Sequence, residues 1–330
     1  MFRILRIKAI CSALFLSFFI TAVNAMDLPD HTQMVAENVY SYGDPNVGYF
    51  SMFVVTDDGV VVFETVNTTH AQGLISAIQA ITDEPIRYAL HSHNHWDHAA
   101  GGKVFQEIGA KTIAHYEAYQ WMEANPHPDM ALPSKYWKGD FKKMRVGGKL
   151  IELHYLGMNH GLGMTVFLLP DERIAYIADL VTPNRVLFTI APDFNIGHFV
   201  ESLKKIESME FDNAVYSHSN ASPFESKSWV TTTHEFVTDV QNAIMAQFGM
   251  GTPFTQIPHA IDLPQYKDLA MYEEWLPLNV WRIMLDMSMG PFPWRPETKS
   301  EQKGNSHKKH HSHAHDNPNW LMKNKHSYMH

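Results

Sequence analysis

Four residues that can bind a metal ion lie within six consecutive positions of the chain: His93, His95, Asp97 and His98. Neutral imidazoles and carboxylates are the usual ligands of Zn²⁺ and related cations. Because a regular strand or helix cannot aim all four at one ion, we expect a tight loop here. It would send His93 and His95 to one ion, and Asp97 and His98 to another.

The surrounding pattern predicts the elements that hold this loop. An apolar strand over 87–91 leads into it, and Gly101-Gly102 with a helix over 102–108 follows. Asp57-Asp58-Gly59 predicts a hairpin turn between two strands. Strands are expected at 48–56, 59–65, 111–115, 150–156, 164–169, 173–178 and 214–216, and helices at 69–81, 116–124, 197–209 and 225–248. Strands that alternate with helices favour an α/β layered fold.

The motif His93-x-His95-x-Asp97-His98, followed by Gly101-Gly102, resembles the signature of the metallo-β-lactamase superfamily. The resemblance covers about residues 40–220. It implies a four-layer αββα sandwich, with a metal site at one edge between two β-sheets. A helical extension is expected after this sandwich.

The resemblance also implies three later ligands, each just after a predicted strand. These are His160, Asp179 and His218, the last flanked by Ser217 and Ser219 where the family usually has glycine. It assigns His93, His95 and His160 to one metal, and Asp97, His98 and His218 to the other, with Asp179 bridging. Two Zn²⁺ ions are expected, with Fe or Mn as alternatives.

Other candidate residues receive supporting roles. Glu64 closes an early strand where the family often has Asp, and it is expected to hydrogen-bond a ligand histidine. Five further histidines are expected to be structural or to support the ligands: His91, His115, His154, His198 and His234. Five aromatic residues are expected either to line an apolar substrate cleft or to pack in the core: Trp96, Tyr119, Trp121, Tyr136 and Trp137.

Composition excludes several classes of protein. The formal net charge of −9 argues against a nucleic-acid partner, which would require a basic face. The single cysteine, Cys11, lies within the first 25 residues. If those residues are removed, the mature chain has no disulfide, no Cys metal ligand and no Cys nucleophile.

Four regions are expected along the chain. Residues 1–25 begin with Arg3, Arg6 and Lys8, continue with an apolar run and end at Ala25, which is typical of a cleaved signal peptide. An uncleaved membrane anchor is the alternative. A catalytic domain is expected over 26–250, a helical extension over 251–296 and a disordered tail over 297–330.

The two terminal regions leave alternatives open. The extension's main helical stretch, 264–289, is expected to break at Pro277. Its aromatic residues would pack on the core, form a dimer contact or line the substrate pocket. The tail contains seven histidines, and it would either capture metal or remain a passive solvated segment. With the signal removed, no stable membrane span is expected, and the protein would be periplasmic or secreted.

These observations predict an exported hydrolase that acts on a small molecule. A hydroxide held by two metals would cleave an ester, lactone, thioester or sulfate ester, and Asp97 would orient it and carry a proton. Asp179 stands where metallo-β-lactamases proper usually have Cys or Ser. Alternatives are β-lactam hydrolysis, an iron-dependent oxidoreductase resembling persulfide dioxygenases, and non-catalytic metal binding. The oligomeric state is not readable from the sequence.

Overall fold

A computed structural model describes residues 28–128, 130–188, 193–219 and 221–290. The predicted signal peptide and the histidine-rich tail lie outside the described residues. The strands are β1 (Thr32–Ala36), β2 (Val39–Tyr42), β3 (Ser51–Thr56), β4 (Gly59–Phe63), β5 (Ile86–Leu90), β6 (Lys111–His115), β7 (Lys135–Trp137), β8 (Phe141–Val146), β9 (Lys149–Gly157), β10 (Met164–Leu169), β11 (Ile174–Ile177), β12 (Asn213–Tyr216) and β13 (Phe224–Ser226). The helices are α1 (Thr68–Ile81), α2 (Trp96–Ala99), α3 (Gly102–Glu107), α4 (Tyr116–Ala124), α5 (Ile196–Ser208), α6 (Ser228–Gly249), α7 (Ile257–Ala260) and α8 (Tyr272–Met289).

The strands form two sheets. Strands β1 to β7 lie side by side in chain order, and the second sheet has the order β13-β12-β11-β10-β9-β8. The predicted hairpin is present, because β3 and β4 pair antiparallel with Thr56 opposite Gly59. Strands β4, β5 and β6 pair in parallel, as do β11 and β12.

Three apolar cores hold the layers together. The inner faces of the two sheets meet in a core that includes Phe63 and Leu90 from the first sheet and Phe167 and Tyr176 from the second. A second core packs α1 and α3 on the outer face of the first sheet. The third and largest core packs α5, α6 and α8 on the outer face of the second sheet. The expected αββα sandwich is therefore confirmed.

The helices after α6 pack against the second sheet. Leu276, Val280, Ile283 and Met284 of α8 are buried in the same core as α5 and α6. The expected break at Pro277 is wrong, since α8 runs through this residue without interruption. Pro277 removes one hydrogen bond near the start of the helix, where the carbonyl four residues earlier belongs to the exposed Glu273 and can be hydrated.

Several short strands lie outside the sequence predictions. β1, β2, β8 and β13 carry no strong alternation, and β7 is only three residues long. Within the described ranges, none of the helices combines the length and the apolar character needed to cross a bilayer.

Candidate metal centre

The ends of four strands bring the predicted ligands together. Residues 91–95 connect β5 to α2, His160 follows β9, Asp179 follows β11 and His218 follows β12. These are carboxyl ends, so the following loops meet at one edge of the sandwich. Asp179 has a left-handed backbone, with φ of 55°, which turns its side chain out of the strand direction.

Asp179 is the centre of the cluster. Its Oδ2 lies 3.2 Å from His93 Nε2 and 3.1 Å from His160 Nε2. Its Oδ1 lies 3.2 Å from His98 Nε2 and 2.9 Å from His218 Nε2. Each carboxylate oxygen therefore faces a different pair of imidazoles. This is the division between two metals, with Asp179 bridging, that the family resemblance implies.

His95 completes the first group. A potential ligand atom of His95 lies within 4.8 Å of those of His93, His160 and Asp179. Its Nε2 shares a 2.7 Å hydrogen bond with Asp193 Oδ2, which leaves Nδ1 for the cluster. Burial opposes a charge on Asp193, but this contact and the nearby His160 outweigh it and lower the Asp193 pKa to about 2. Asp193 was missed by the sequence reasoning.

Asp97 lies beside the second group rather than within it. Potential ligand atoms of His98, Asp179 and His218 gather within 4.8 Å of one another. Asp97 Oδ2 lies 3.6 Å from His98 Nε2, and its side chain is 54% exposed. The hydroxyl of Tyr49 donates a 2.8 Å hydrogen bond to the same Oδ2. The structure thus brings six of the seven predicted residues together directly and places Asp97 at their margin.

Tyr49 is a second residue that the sequence reasoning missed. Its ring packs edge-on against His218, with 4.4 Å between centroids, and it also contacts His98. The neighbouring Gly48 carbonyl accepts a 3.0 Å hydrogen bond from His218 Nδ1. Burial and the adjacent Asp97 raise the pKa of the Tyr49 hydroxyl, so it remains a proton donor.

A buried carboxylate supports the cluster from behind. Glu64 is fully buried, and its Oε2 accepts a hydrogen bond from Ser92 Oγ and lies 3.4 Å from His98 Nδ1. Ser92 Oγ lies 2.8 Å from His93 Nδ1. Glu64 therefore contacts one predicted ligand and reaches another through Ser92, as the sequence led us to expect. Such contacts orient the imidazoles that face a metal.

Gly161 gives the cluster its close packing. A Cβ at this position would lie 2.7 Å from Asn94 Oδ1 and 3.0 Å from both His93 Cδ2 and His95 Nε2. Its φ of 73° also favours glycine. The side-chain amide of Asn94 in turn accepts a hydrogen bond from the Leu162 backbone, at 2.5 Å. Only glycine lets the loop after β9 approach the histidines this closely.

The charges of the cluster are strongly coupled. Burial disfavours a charge on Asp179, but the facing His98 and His218 outweigh it and hold the Asp179 pKa well below its usual range. Burial lowers the pKa of His93 to about 3, with a further contribution from His95. Burial also opposes a charge on His98, yet Asp179 and Glu64 raise its pKa well above the usual value. A cation that binds to His98 must therefore displace a proton.

The donor set fits metal ions. His93 Nε2 and His98 Nε2 are buried and each lies 3.2 Å from Asp179, yet neither makes a hydrogen bond within the described residues. Two ligand atoms that share one tetrahedral Zn²⁺ at about 2.1 Å lie roughly 3.4 Å apart. Imidazole nitrogens that converge on a carboxylate at this spacing are typical of ligands around an ion.

A cleft of about 400 Å³ opens over the cluster. Its aromatic lining comes from Tyr49, Phe188 and Trp275, and Arg185 and Thr182 contribute polar groups. Of the aromatic residues expected either in the cleft or in the core, Trp137 is buried against His115, Trp96 packs near His127 and Tyr119 contacts Tyr136, and none of these three is among the residues that line the cleft. Two expectations for the helical extension are met. Trp275 of α8 lines the cleft, and other residues of α8 pack in the core.

Comparison with known proteins supports this description. A family model described as "Metallo-beta-lactamase superfamily" matches residues 45–218, more than half of the chain. The alpha subunit of a 2,4-dinitroanisole O-demethylase from Nocardioides sp. (strain JS1661) is 27% identical over 191 residues, which are 57% of either chain.

Two solved structures share the fold. A metallo-β-lactamase from Pontibacter korlensis superposes with a TM-score of 0.55 and 17% identity, over 62% of this chain and 96% of that one. A stereoselective inverting sec-alkylsulfatase from Pseudomonas sp. superposes with a TM-score of 0.63 and 14% identity, over 78% of this chain and 50% of that one. At these identities the likeness concerns the fold alone.

Proposed function

Because the chain belongs to the metallo-β-lactamase superfamily, we propose that it is a metal-dependent hydrolase that cleaves an ester, lactone, thioester or sulfate ester. One observation carries the proposal. Each oxygen of Asp179 faces its own pair of histidines, at distances of 2.9 to 3.2 Å. This arrangement favours two adjacent ions over the single iron of the oxidoreductase alternative.

We assign one metal to His93, His95 and His160, the other to His98, His218 and Asp97, and the bridge to Asp179. Two bound divalent cations would lower the pKa of a water molecule to near neutrality and polarise the scissile bond of the substrate. Asp97 Oδ2 lies 3.6 Å from His98 Nε2, close to the roughly 3.4 Å that separates two ligand atoms on one tetrahedral Zn²⁺.

Asp97 is also placed to handle a proton. Burial opposes its charge, but His98 and the Tyr49 hydrogen bond outweigh this and lower its pKa. Its carboxylate is therefore ionised at neutral pH and accepts hydrogen bonds. Because the side chain is half-exposed to the cleft, it can hold a water molecule by one oxygen while Tyr49 fixes the other. Tyr49 and Asp97 together would orient the attacking water.

A second candidate reaction is the cleavage of an aryl methyl ether. It is favoured by the similarity to the Nocardioides demethylase subunit and by the aromatic lining of the cleft. This chain matches only 57% of that subunit, so the reaction is offered as a candidate for testing.

Metal analysis with a substrate screen tests the proposal. We expect purified protein to hold two equivalents of zinc and to hydrolyse at least one member of a panel. The panel contains aryl esters, lactones, thioesters, sulfate esters, β-lactams and 2,4-dinitroanisole. His218→Ala should lose one metal equivalent and its activity, whereas the exposed His259→Ala should keep both. One iron per chain with no hydrolysis would refute the proposal.

Export is a separate part of the proposal. It rests on the basic start, the apolar run and the small residue at Ala25. The mass of the protein purified from the periplasmic or culture fraction should correspond to a chain that begins at Met26. A full-length chain recovered with the membranes would indicate an uncleaved anchor instead.

A further inference from the structure

One wall of the cleft is built by two segments that are distant in sequence. Residues 184–188 follow Asp179, and Trp275 belongs to α8, beyond the region that matches the family. Arg185 and Ala270 form a parallel bridge, in which Ala270 N donates to Asn184 O and Val186 N donates to Ala270 O. This pairing fixes the start of α8 beside the loop.

Side chains lock the same wall. The buried amide of Asn279 donates a 2.7 Å hydrogen bond to the Leu187 carbonyl. The guanidinium of Arg185 lies 5.0 Å from the ring centroid of Trp275, and Phe188 packs edge-on against the same ring at 5.2 Å. Phe188 remains 44% exposed. The result is a wall on which a guanidinium and two aromatic side chains contact one another beside the cleft.

The cation of this wall faces the metal centre. Arg185 is the only Lys or Arg among the described residues that line the cleft. Burial lowers its pKa, while Asp179 and Tyr49 offset this, which places its charge within electrostatic reach of both. A guanidinium beside an indole can donate to an anion in the cleft, and the neighbouring aromatic side chains can contact a planar ring.

We propose that Arg185, Trp275 and Phe188 form a recognition site for a planar aromatic anion. This inference rests on the proposed function, because it names the class of group that would lie beside the scissile bond. Arg185 would contact the negative charge, and Trp275 and Phe188 would contact the ring. The helical extension would thus set the specificity of a centre that the sandwich provides.

Calorimetry on the metal-loaded protein tests this site without requiring turnover. The probes are 4-nitrobenzoate, its neutral analogue 4-nitrobenzyl alcohol, and cyclohexanecarboxylate as a non-aromatic anion. We expect 4-nitrobenzoate to bind more tightly than both. Arg185→Gln should weaken its binding about tenfold or more and leave the neutral probe unchanged. Trp275→Leu should weaken both aromatic probes, and Arg145→Gln, at an exposed position on β8, should change nothing.

Metal content separates this test from that of the proposed function. All variants should keep the metal content of the wild type, which shows that the centre remains intact. Arg185→Lys retains the charge and should recover only part of the 4-nitrobenzoate affinity, since an ammonium lacks the planar fork of donors that matches a carboxylate. Equal binding of 4-nitrobenzoate by wild type and Arg185→Gln, or no binding by wild type, would overturn the inference. A protein that binds the anion but hydrolyses nothing would instead contradict the proposed function alone.

Discussion

The two sides of the cleft are built in different ways. The metal-facing side is formed by loops at the carboxyl ends of β5, β9, β11 and β12, each carrying its ligands within a few residues of a buried strand. The opposite wall is formed by residues 184–188, Ala270 and α8, which meet through the Arg185–Ala270 bridge, the Asn279 hydrogen bond and the contacts of Trp275 with Arg185 and Phe188. The sheets thus position the candidate metal ligands, whereas a contact between segments distant in sequence positions the proposed recognition residues. Changes on one side should leave the other intact.

The largest effect is expected from the bridging carboxylate. Asp179→Asn keeps the size of the side chain but removes the charge shared by four imidazoles, so we expect loss of at least one metal equivalent and a fall in activity of about 1000-fold or more. Metal analysis and initial rates measure these changes. Asp171→Asn, in an exposed turn, is the matched control. Retention of two metals by Asp179→Asn would contradict the bridging role.

A smaller effect on the same side is expected from Glu64→Gln. The variant retains the volume of a fully buried side chain but weakens its contacts with Ser92 and His98. Metal affinity should fall by about 10- to 100-fold. Titration against a competing chelator measures this, with the exposed Glu37→Gln as control. An unchanged metal affinity would show that Glu64 supports the fold and not the metal.

The opposite wall is loosened by Asn279→Ala. This change removes the hydrogen bonds from the buried amide to the carbonyls of Leu187 and Trp275, at 2.7 and 2.8 Å. We expect the free energy of unfolding to fall by about 1–3 kcal/mol and KM to rise, while metal content stays constant. Gln72→Ala, on the exposed face of α1, is the control. Loss of metal in Asn279→Ala would mean that the two sides are coupled.

The smallest effect is expected on the pH dependence of stability, at His70, which belongs neither to the metal-facing side nor to the opposite wall of the cleft. Burial lowers the pKa of His70 to about 4, and its Nε2 lies 2.9 Å from Ser51 Oγ. Between about pH 6.5 and pH 4 the unfolded chain binds a proton that the folded chain excludes, so stability falls as pH decreases through this window. His70→Gln should reduce this loss by about 1–2 kcal/mol. Chemical denaturation at pH 7 and pH 4.5 measures it, and an unchanged difference would contradict it; His259→Gln is the control.

The metal-facing side was largely predictable from the sequence. His93, His95, Asp97 and His98 lie within one short segment, and His160, Asp179 and His218 each follow a strand with a clear apolar pattern. Because strand ends of one layered fold converge, local pattern and family resemblance together indicate which residues meet. Glu64 was found for the same reason, at the end of β4.

The recognition wall was not predictable in this way. Arg185, Phe188 and Asp193 lie in a connection without periodicity, and Tyr49 lies in a loop before β3. Each of these residues contacts side chains that are far away in sequence, and no local sequence pattern predicts such contacts. The two alternatives for the prominent aromatic residues could not be separated from the sequence, because an aromatic side chain is as typical of a core as of a ligand cleft; Trp137 is buried, whereas Trp96 is exposed. Pro277 was misread because its neighbours on α8 gain enough from packing to offset one lost hydrogen bond.

The backbone around Tyr49 has a consequence for how the protein acquires its ions. Tyr49 bridges His218, and Phe50 N donates a 2.8 Å hydrogen bond to Ser217 O. His218 Nδ1 reaches Gly48 O across 170 positions of the chain. Residues 48–50 can therefore make these contacts only after β12 and the residues that follow it have been synthesised. A metal site that includes His218 is therefore complete only when the two halves of the polypeptide have docked.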